Sequence, residues 1–110
     1  MNIEEYIEHS VLKPDTVIGD IERICTEAAA YYFGTVCVPP LFVKKAKILT
    51  AGTAIKVSTV IGYPFGFSAI EAKVAEIVLA VIDGADEVEM VVNTGAIKNN
   101  DWQFLANEIN

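Results

Sequence analysis

The sequence predicts an α/β fold built from parallel βα repeats. Three observations support this prediction: strand and helix patterns alternate four times, no linker interrupts them, and the strands are nearly continuous apolar runs. Such runs are typical of parallel strands that are covered on both faces. Two architectures fit, a small open doubly wound sheet or half of a (β/α)8 barrel, because a whole barrel takes roughly 200 to 250 residues.

The first unit combines a short strand with a long amphipathic helix. The strand is expected over residues 7–12, and Asp15 or Thr16 is positioned to cap the helix that follows. Apolar residues recur at helical spacing up to about Tyr32, which gives this helix one buried face. Gly34 is the expected end of the helix.

The second and third units repeat this arrangement. Residues 35–38 form a strand rich in β-branched side chains, and Pro40 suits the first turn of a helix that ends at Gly52. Residues 55–61 form the third strand, and a capping box at residues 68–71 begins the third helix. Five apolar residues are expected on the buried face of that helix: Ile70, Val74, Ile77, Val78 and Val81.

The fourth predicted strand, residues 84–93, carries acidic side chains. Alternation places Glu87 and Glu89 on one face and apolar side chains on the other. A carboxylate between apolar neighbours is costly unless it is paired or hydrogen-bonded. Glu89 is therefore either a structural salt bridge or a working acid/base group. A last helix is expected to start at Asn100 or Asp101.

The composition excludes several classes of protein. The chain is 53% hydrophobic and has a net charge of −7, so it lacks the basic face that a nucleic-acid-binding protein needs. Its apolar runs are far shorter than the roughly 20 residues that span a bilayer, and residues 1–8 contain no basic signal-peptide region. Cys25 and Cys37 are expected as free thiols of a cytoplasmic protein.

Function in either architecture is expected at the carboxyl ends of the strands. The candidates include Glu8 and Ser10 on the first strand, Cys37 on the second and Glu89 on the fourth. Two of them have a plain structural alternative: Glu8 can pair with Lys13, and Cys37 can be core packing, because a thiol in an apolar strand stays protonated. A single histidine offers no metal-ligand spacing, and no nucleotide-binding or nucleophile-elbow motif is present.

Four segments carry a more specific pattern. They are I-E-H-S-V-L-K-P at residues 7–14, V-C-V-P-P at 36–40, K-V-S-T-V-I-G-Y-P-F-G at 56–66 and G-A-D-E-V-E-M-V-V-N at 84–93. In order and spacing they resemble the signature segments of the deoxyribose-phosphate aldolases, and they match only the N-terminal half of that family's TIM (β/α)8 barrel. The resemblance covers essentially all 110 residues. Residues 1–110 are therefore interpreted as a single (βα)4 half-barrel unit, a partial aldolase domain.

This resemblance implies a class I aldolase that cleaves 2-deoxyribose 5-phosphate into glyceraldehyde 3-phosphate and acetaldehyde, with no metal or other cofactor. In the family a lysine amine forms a Schiff base with the substrate, and an aspartate on the fourth strand helps to move protons. Glu89 matches that aspartate and is the implied catalytic residue. Glu8, Ser10 and Cys37 lie in matched segments and are the implied substrate-binding residues.

Departures from the family pattern limit what this chain can do alone. Glu8 and Glu89 replace aspartates, Ser10 replaces a threonine, and no lysine of this chain matches the Schiff-base motif. The chain by itself is therefore predicted to lack aldolase activity. Half a barrel also leaves two open sheet edges and an uncovered concave face, so a homo-oligomer is expected. The alternative function is a non-catalytic half-barrel that serves as an assembly or binding module.

Overall fold

Four parallel strands form one sheet in this computed structural model, which describes residues 2–110 and leaves Met1 outside the described part. The strands are β1 (Glu8–Ser10), β2 (Thr35–Val38), β3 (Lys56–Ile61) and β4 (Glu87–Met90). They lie in the sheet in the same order as in the chain. A doubly wound sheet reverses its strand order at a switch point, whereas a barrel keeps the order. The observed topology is therefore that of half a barrel.

Helices link the strands and follow the last one. The α-helices of residues 2–110 are α1 (Ile18–Tyr31), α2 (Val43–Leu49), α3 (Ile70–Asp83), α4 (Thr94–Lys98) and α5 (Trp102–Ile109), with short 3-10 helices at Ile3–Tyr6 and Pro40–Phe42. The first three α-helices each connect one strand to the next, as in a βα repeat. Among the helices of residues 2–110, none combines the length and the apolar character needed to cross a membrane.

The hydrophobic core lies between the sheet and the first two helices. Ile21, Ile24 and Ala28 of α1 pack in one cluster with Val36 and Val57 of the sheet, and all five side chains are fully buried. Successive strand residues point to opposite faces, so this core occupies only one side of the sheet. The concave side is left to a different set of residues.

The two edge strands are shorter than the sequence predicts. The strand expected over residues 7–12 is paired over 3 residues, and the strand expected over 84–93 is paired over 4. Each edge strand has a single neighbour, because β1 pairs with β2 and β4 pairs with β3. The extent of each edge strand therefore depends on pairing with that one neighbour, which the periodicity of one strand cannot reveal.

The first helix begins later than predicted. Neither Asp15 nor Thr16 caps it; the N-cap is Val17, whose backbone N–H donates to the Asp20 carboxylate at 3.0 Å. The Thr16 hydroxyl instead donates to the Lys13 carbonyl in the preceding turn, at 2.6 Å. The Thr16 hydroxyl stabilises the turn and not the helix, and the sequence signal does not distinguish the two uses.

The same helix runs to Tyr31 with Tyr32 as its C-cap, close to the predicted end at about Tyr32 and two residues before the predicted stop at Gly34. Tyr32 adopts a left-handed conformation with φ 58°, and its N–H bonds to the Ala28 carbonyl. Gly34 has a different role, because a Cβ at this position would collide with the Glu5 carbonyl. This glycine therefore allows the N-terminal segment to cross close to the start of β2.

The capping box predicted at residues 68–71 does not form. The N-cap of α3 is Ala69, whose side chain has no atom that can accept a hydrogen bond. The cap predicted for the last helix is confirmed at Asp101, which accepts from the Phe104 N–H at 3.1 Å. Gly84 ends α3 in a left-handed conformation, φ 100°, that glycine adopts without strain.

The buried face of α3 is not the apolar stripe that the sequence suggests. Two of the five residues predicted to be buried, Ile70 and Ile77, are partly buried. The other three are at least half exposed: Val74, Val78 and Val81. The residues of α3 that are fully buried are Lys73 and Ala80. The helix packs on β3, β4 and α2. Within residues 2–110 its other flank is not covered, so the valine stripe meets solvent.

A buried ion pair joins α3 to α5. The Lys73 ammonium donates to the Glu108 carboxylate. It also donates to the carbonyls of Gly66 and Val91, and both of these distances are 2.8 Å. The other Glu108 oxygen accepts from the Asn93 N–H at 3.1 Å. The two charged side chains are 2% and 0% exposed, so every polar atom in this network needs a partner. The network fixes α5 against the segments that follow β3 and β4.

The molecule is less compact than a closed domain of its length. Its radius of gyration is 15.1 Å, whereas a compact domain of about 110 residues has a value of about 13 Å. The difference is consistent with a sheet that has two free edges and a concave face without a covering layer.

Replacing Lys73 with Met is expected to destabilise the fold by about 3–5 kcal/mol, because the Glu108 carboxylate is then buried without a cation. Urea unfolding followed by circular dichroism measures this loss. The double variant Lys73→Met/Glu108→Leu should recover part of it, because the unpaired carboxylate is gone while the backbone partners of both side chains stay unsatisfied. Lys98→Met, on the exposed surface, is the control and should stay within about 0.5 kcal/mol of wild type. Equal stability of Lys73→Met and wild type would contradict a structural role for the network.

Candidate functional site

The concave face of the sheet brings together polar residues from all four strands. The register aligns Ser10 with Cys37, Cys37 with Ser58, and Val60 with Glu89. Because side chains alternate along each strand, these residues share the face opposite the hydrophobic core. The structure therefore places Glu89 on the concave side, the side that the alternation predicts.

Three of the predicted site residues meet on this face. A carboxylate oxygen of Glu8, the Cys37 sulfur and a carboxylate oxygen of Glu89 all lie within 4.8 Å of one another. The Cys37 thiol donates to Glu89 Oε2 over 3.9 Å. Glu8 lies on β1 and Glu89 on β4, which are the two edges of the sheet. Side chains of the two edge strands can meet only if the sheet is strongly curled, as it is in a barrel.

No basic side chain neutralises the two carboxylates of this cluster. Within residues 2–110, no Lys, Arg or His nitrogen lies within 4.0 Å of Glu8 or Glu89. The adjacent acid is paired instead, since Lys56 contacts Glu87 at 3.7 Å. Within residues 2–110, neither a salt bridge at Glu89 nor a pair between Glu8 and Lys13 forms.

The crowding of acids shifts two pKa values in the cluster. Burial raises the pKa of Glu8 to about 7, together with a hydrogen bond to Glu89 and the negative charges of Glu89 and Glu87. Burial, and then the charges of Glu89 and Glu8, raise the pKa of Cys37 to about 12. Glu8 therefore keeps its proton up to about neutral pH, while Cys37 is a neutral thiol and a poor nucleophile.

Ser58 completes this face, although no motif marks it as a site residue. It is fully buried, and within residues 2–110 its hydroxyl has no hydrogen-bond partner of acceptable geometry. Ser58 lies beside Cys37, and its hydroxyl favours the thiolate and so lowers the Cys37 pKa. This effect is smaller than the increase in the Cys37 pKa caused by burial and by the two carboxylates. On the other face, the Thr59 hydroxyl is satisfied by the Val38 carbonyl at 2.7 Å. A serine inside an apolar strand is the only sequence signal that could have identified Ser58.

Ser10 lies on the same face of the sheet and is aligned with Cys37 in the register. A cleft of about 490 Å³ opens at the carboxyl ends of the strands, and its walls include Lys13, Val60 and Tyr63. A larger cavity of about 690 Å³ lies at the opposite end, near Lys56 at the start of β3. The smaller cleft lies at the end where parallel barrels hold their chemistry, but its walls include none of Glu8, Ser10, Cys37 and Glu89.

The raised pKa of Glu8 predicts a pH-dependent stability. Between the ordinary pKa of 4.5 and about 7, the unfolded chain releases the Glu8 proton and the folded chain keeps it. The stability that Glu8 contributes is therefore fully present below pH 4.5 and is lost as the pH rises through about 7. The Glu8→Gln variant cannot ionise, so its stability should fall less than that of wild type between about pH 5 and about pH 8 in urea unfolding. The exposed Glu4→Gln control should follow wild type, and identical pH profiles for Glu8→Gln and wild type would show that Glu8 does not titrate this way.

Curated relatives match the chain along almost its entire length. The deoxyribose-phosphate aldolase of Brevibacillus brevis is 46% identical over 109 residues, which make up 99% of this chain and 49% of that protein. The deoxyribose-phosphate aldolase of Mesomycoplasma hyopneumoniae is 44% identical over 110 residues, 100% of this chain and 50% of that protein. The chain thus spans about half the length of the curated relatives it matches. No family model matches the chain.

Solved structures show the same fold. A structure reported as a candidate deoxyribose-phosphate aldolase from Coccidioides immitis superposes with a TM-score of 0.95 and 32% identity, over 98% of this chain and 43% of that one. The aldolase QR15 gives a TM-score of 0.89 and 35% identity, over 96% of this chain and 47% of that one. The deoxyribose-phosphate aldolase of Aeropyrum pernix, described as having a unique tetrameric structure, superposes with a TM-score of 0.76 and 27% identity. The match covers 82% of this chain and 38% of that one. The predicted half-barrel and the predicted resemblance are thereby confirmed: in sequence and in fold, this chain matches the deoxyribose-phosphate aldolase family over about half the length of a family member.

Proposed function

We propose that this chain supplies the proton-handling half of a class I aldolase site for 2-deoxyribose 5-phosphate. Residues 1–110 act in this proposal as one (βα)4 unit of a barrel whose reaction yields glyceraldehyde 3-phosphate and acetaldehyde. One observation carries the proposal: Glu8 and Glu89 meet on the concave face without a cation from residues 2–110. An amine or an iminium is what such a pair of carboxylates would complement.

Glu89 is the proposed catalytic residue. In a Schiff-base aldolase a substrate hydroxyl loses its proton as the carbon–carbon bond breaks, and the iminium takes up the electron pair of that bond. The Glu89 carboxylate faces the hollow of the sheet and can accept this proton. Glu8, with a pKa of about 7, holds a proton at neutral pH and can donate a hydrogen bond to Glu89 rather than repel it.

Glu8, Ser10 and Cys37 are the proposed substrate-binding residues. All three side chains lie on the concave face. Cys37 is a neutral thiol there, so it is proposed to contact the substrate without attacking it.

The Schiff-base amine is proposed to come from the other half of a barrel. No lysine of this chain matches the family's Schiff-base motif, and the buried Lys73 is already bound to Glu108 and two carbonyls. The chain alone is therefore proposed to be inactive as an aldolase. The chemistry assigned to Glu8 and Glu89 needs no metal or other cofactor.

The proposed location is the cytoplasm. Cys25 and Cys37 are both free thiols in the structure, and free cysteines are usual in compartments where disulfides are rare. The net charge of −7 argues against nucleic acid as a partner.

A second candidate function is a non-catalytic half-barrel module that assembles with itself. Two observations favour it: β1 and β4 are open edges of the sheet, and α3 exposes an apolar stripe at Val74, Val78 and Val81. Two copies related by a two-fold axis could pair β4 of each with β1 of the other, which closes a ring of eight parallel strands. We therefore propose a homo-oligomer.

Joining this chain to the unmatched half of the Brevibacillus brevis aldolase should produce a protein that traps substrate. With 2-deoxyribose 5-phosphate and borohydride, the joined protein is expected to gain the mass of a covalent adduct, and this chain alone is expected to gain none. In the joined protein, Glu89→Gln should lower kcat about 10²- to 10⁴-fold, because a proton acceptor is lost. The adduct should still form, because the amine is untouched.

Glu87→Gln is the matched control for this experiment. Glu87 lies on the same strand and the same face as Glu89, but it pairs with Lys56. Its variant should change kcat by no more than a few-fold. An adduct on this chain alone would contradict the proposal that the amine comes from the other half of a barrel, and a folded joined protein without any adduct would remove the aldolase proposal. Unchanged kcat in Glu89→Gln would remove Glu89 from the proposed role.

Self-association is expected when the purified chain is sedimented at micromolar concentration. Open strand edges and an exposed apolar stripe both favour contact between copies, so the chain should sediment as a dimer or larger species. Val78→Glu should shift the distribution toward the monomer if the α3 stripe forms the contact. Ile3→Glu, at an exposed position of the N-terminal 3-10 helix, should leave the distribution unchanged. A monomer of the unaltered chain would count against the assembly module.

A further inference from the structure

We propose that Lys73 is a positioning residue for the aldolase site: its ammonium holds the end of β4, and with it Glu89, against the loop that follows β3. This inference rests on the proposed function and deepens it, because Glu89 is the proposed catalytic residue. Lys73 is fully buried, so it acts through the backbone of β4 and not on a substrate. The structural role of its network thus extends to the reaction site.

The end of β4 needs support from outside the sheet. β4 is an edge strand, and within residues 2–110 it pairs on one side only, with β3. The last backbone bond on that side runs from the Val91 N–H to the Ile61 carbonyl at 2.9 Å. Glu89 lies two residues before Val91. A second support at this point fixes the direction in which the Glu89 side chain leaves the strand.

Lys73 supplies this support from the helix layer. Its ammonium donates to the Val91 carbonyl at 2.8 Å and to the Gly66 carbonyl in the β3 loop at 2.8 Å. The third acceptor is the Glu108 carboxylate. Moving any of these acceptors away would leave a buried charge partly unsatisfied, so the ammonium is a strong anchor for both backbone segments.

Glu108 holds the next residues of the same segment. Its second carboxylate oxygen accepts from the Asn93 N–H at 3.1 Å. The backbone is therefore anchored at Val91 through its carbonyl and at Asn93 through its N–H, on either side of Val92. Both anchors lie directly after the strand that carries the proposed base.

Two glycines of the segment at residues 56–66 allow this contact. Gly62 and Gly66 both have positive φ, 67° and 72°. A Cβ at Gly62 would lie 2.9 Å from Lys73 Cε, so the lysine stem packs directly against this glycine. A Cβ at Gly66 would collide with the Val92 carbonyl, so the loop lies directly against the chain that leaves β4. The glycines of this segment therefore serve the contact between the β3 loop and the end of β4.

Glu76 anchors the other end of the same loop. Its carboxylate accepts from the Gly62 N–H at 2.9 Å, and the Gly66 N–H donates to the Gly62 carbonyl at 2.7 Å. Residues three apart on a helix lie on one face, so α3 presents the Lys73 donor and the Glu76 acceptor to one loop. Lys73 thereby ties the end of β4 to a loop that is itself held at both ends.

Glu8 reports on the position of Glu89 from the opposite edge of the sheet. Burial raises the pKa of Glu8 to about 7, and a hydrogen bond to Glu89 and the charges of Glu89 and Glu87 add to this effect. Glu8 makes none of the hydrogen bonds of the Lys73 network. A change in the Glu8 titration on altering this network would therefore reach Glu8 through a movement of β4.

A carbon-13 NMR titration of the Glu8 carboxylate in the 110-residue chain tests the positioning role. The double variant Lys73→Met/Glu108→Leu removes one positive and one negative charge, so the net charge stays the same, but the Val91 carbonyl and the Asn93 N–H lose their side-chain partners. The end of β4 is then expected to move, and the midpoint of the Glu8 titration should fall by about one pH unit toward its ordinary value. The Glu8→Gln variant identifies the resonance by its absence.

Val43→Ala is the control for a simple loss of stability. Val43 is fully buried in the hydrophobic core on the other face of the sheet, so this variant destabilises the fold without altering the Lys73 network. Its Glu8 midpoint should stay at the wild-type value.

In the protein joined to the other half of a barrel, positioning should affect kcat rather than KM. The double variant should lower kcat about tenfold to about 10²-fold and change KM by no more than a few-fold, because a misplaced base slows the reaction without weakening binding. The borohydride adduct should still form. An unaltered joined protein without an adduct would remove the aldolase function, and the Glu8 titration on the 110-residue chain would still decide whether Lys73 positions Glu89.

Two results would overturn the proposal. The first is an unchanged Glu8 midpoint in the double variant, shown to be folded by circular dichroism, and the second is an equal shift in Val43→Ala. If the double variant does not fold, Gly66→Ala decides, because its methyl group forces the β3 loop away from the Val92 carbonyl without changing any charge. A wild-type Glu8 midpoint in folded Gly66→Ala then contradicts the proposal.

Discussion

Two carboxylates and a thiol share one small space on the concave face, and no cation from residues 2–110 lies beside them. The side chains of this cluster limit the repulsion between their negative charges by keeping protons and by remaining exposed to water. Glu8 keeps a proton up to about pH 7, Cys37 stays a neutral thiol, and both glutamates remain in contact with water. Positive charge from an amine would offset this repulsion, and the proposed aldolase role of the site follows from that demand.

Another carboxylate of the same chain, that of Glu108, is buried and paired with a cation. Glu108 is fully buried, and the ammonium of Lys73 together with the Asn93 N–H satisfies it completely. That network joins α3 and α5 around the ends of β3 and β4, so its role is structural. The contrast is informative, because the chain has a lysine for the acid that holds the fold together and none for the acids of the concave face. Unsatisfied acids in a cleft are typical of functional sites rather than of packing.

The alternation of strands and helices, the parallel sheet and the side on which Glu89 lies could all be predicted from the sequence, because each depends on local periodicity. The errors concern features set by distant neighbours. The ends of β1 and β4 depend on their partner strands, and the exposure of Val78 depends on which elements flank α3. The contact between Glu8 and Glu89 depends on the curl of the sheet, and the orphaned Ser58 hydroxyl depends on packing around it; neither leaves a trace in the spacing of residues.

Glutamate at both acidic positions bears directly on the proposed role of the concave face, because the resemblance implies aspartate there. In a closed barrel the extra methylene of Glu89 moves the proton acceptor relative to an aspartate, and a displacement of about 1 Å can lower the rate of an enzyme substantially. In the half-barrel, carboxylate oxygens from both edge strands lie within 4.8 Å of the Cys37 sulfur and of each other. The position of an amine from the rest of a barrel relative to these oxygens therefore decides whether Glu89 can act as the proposed base.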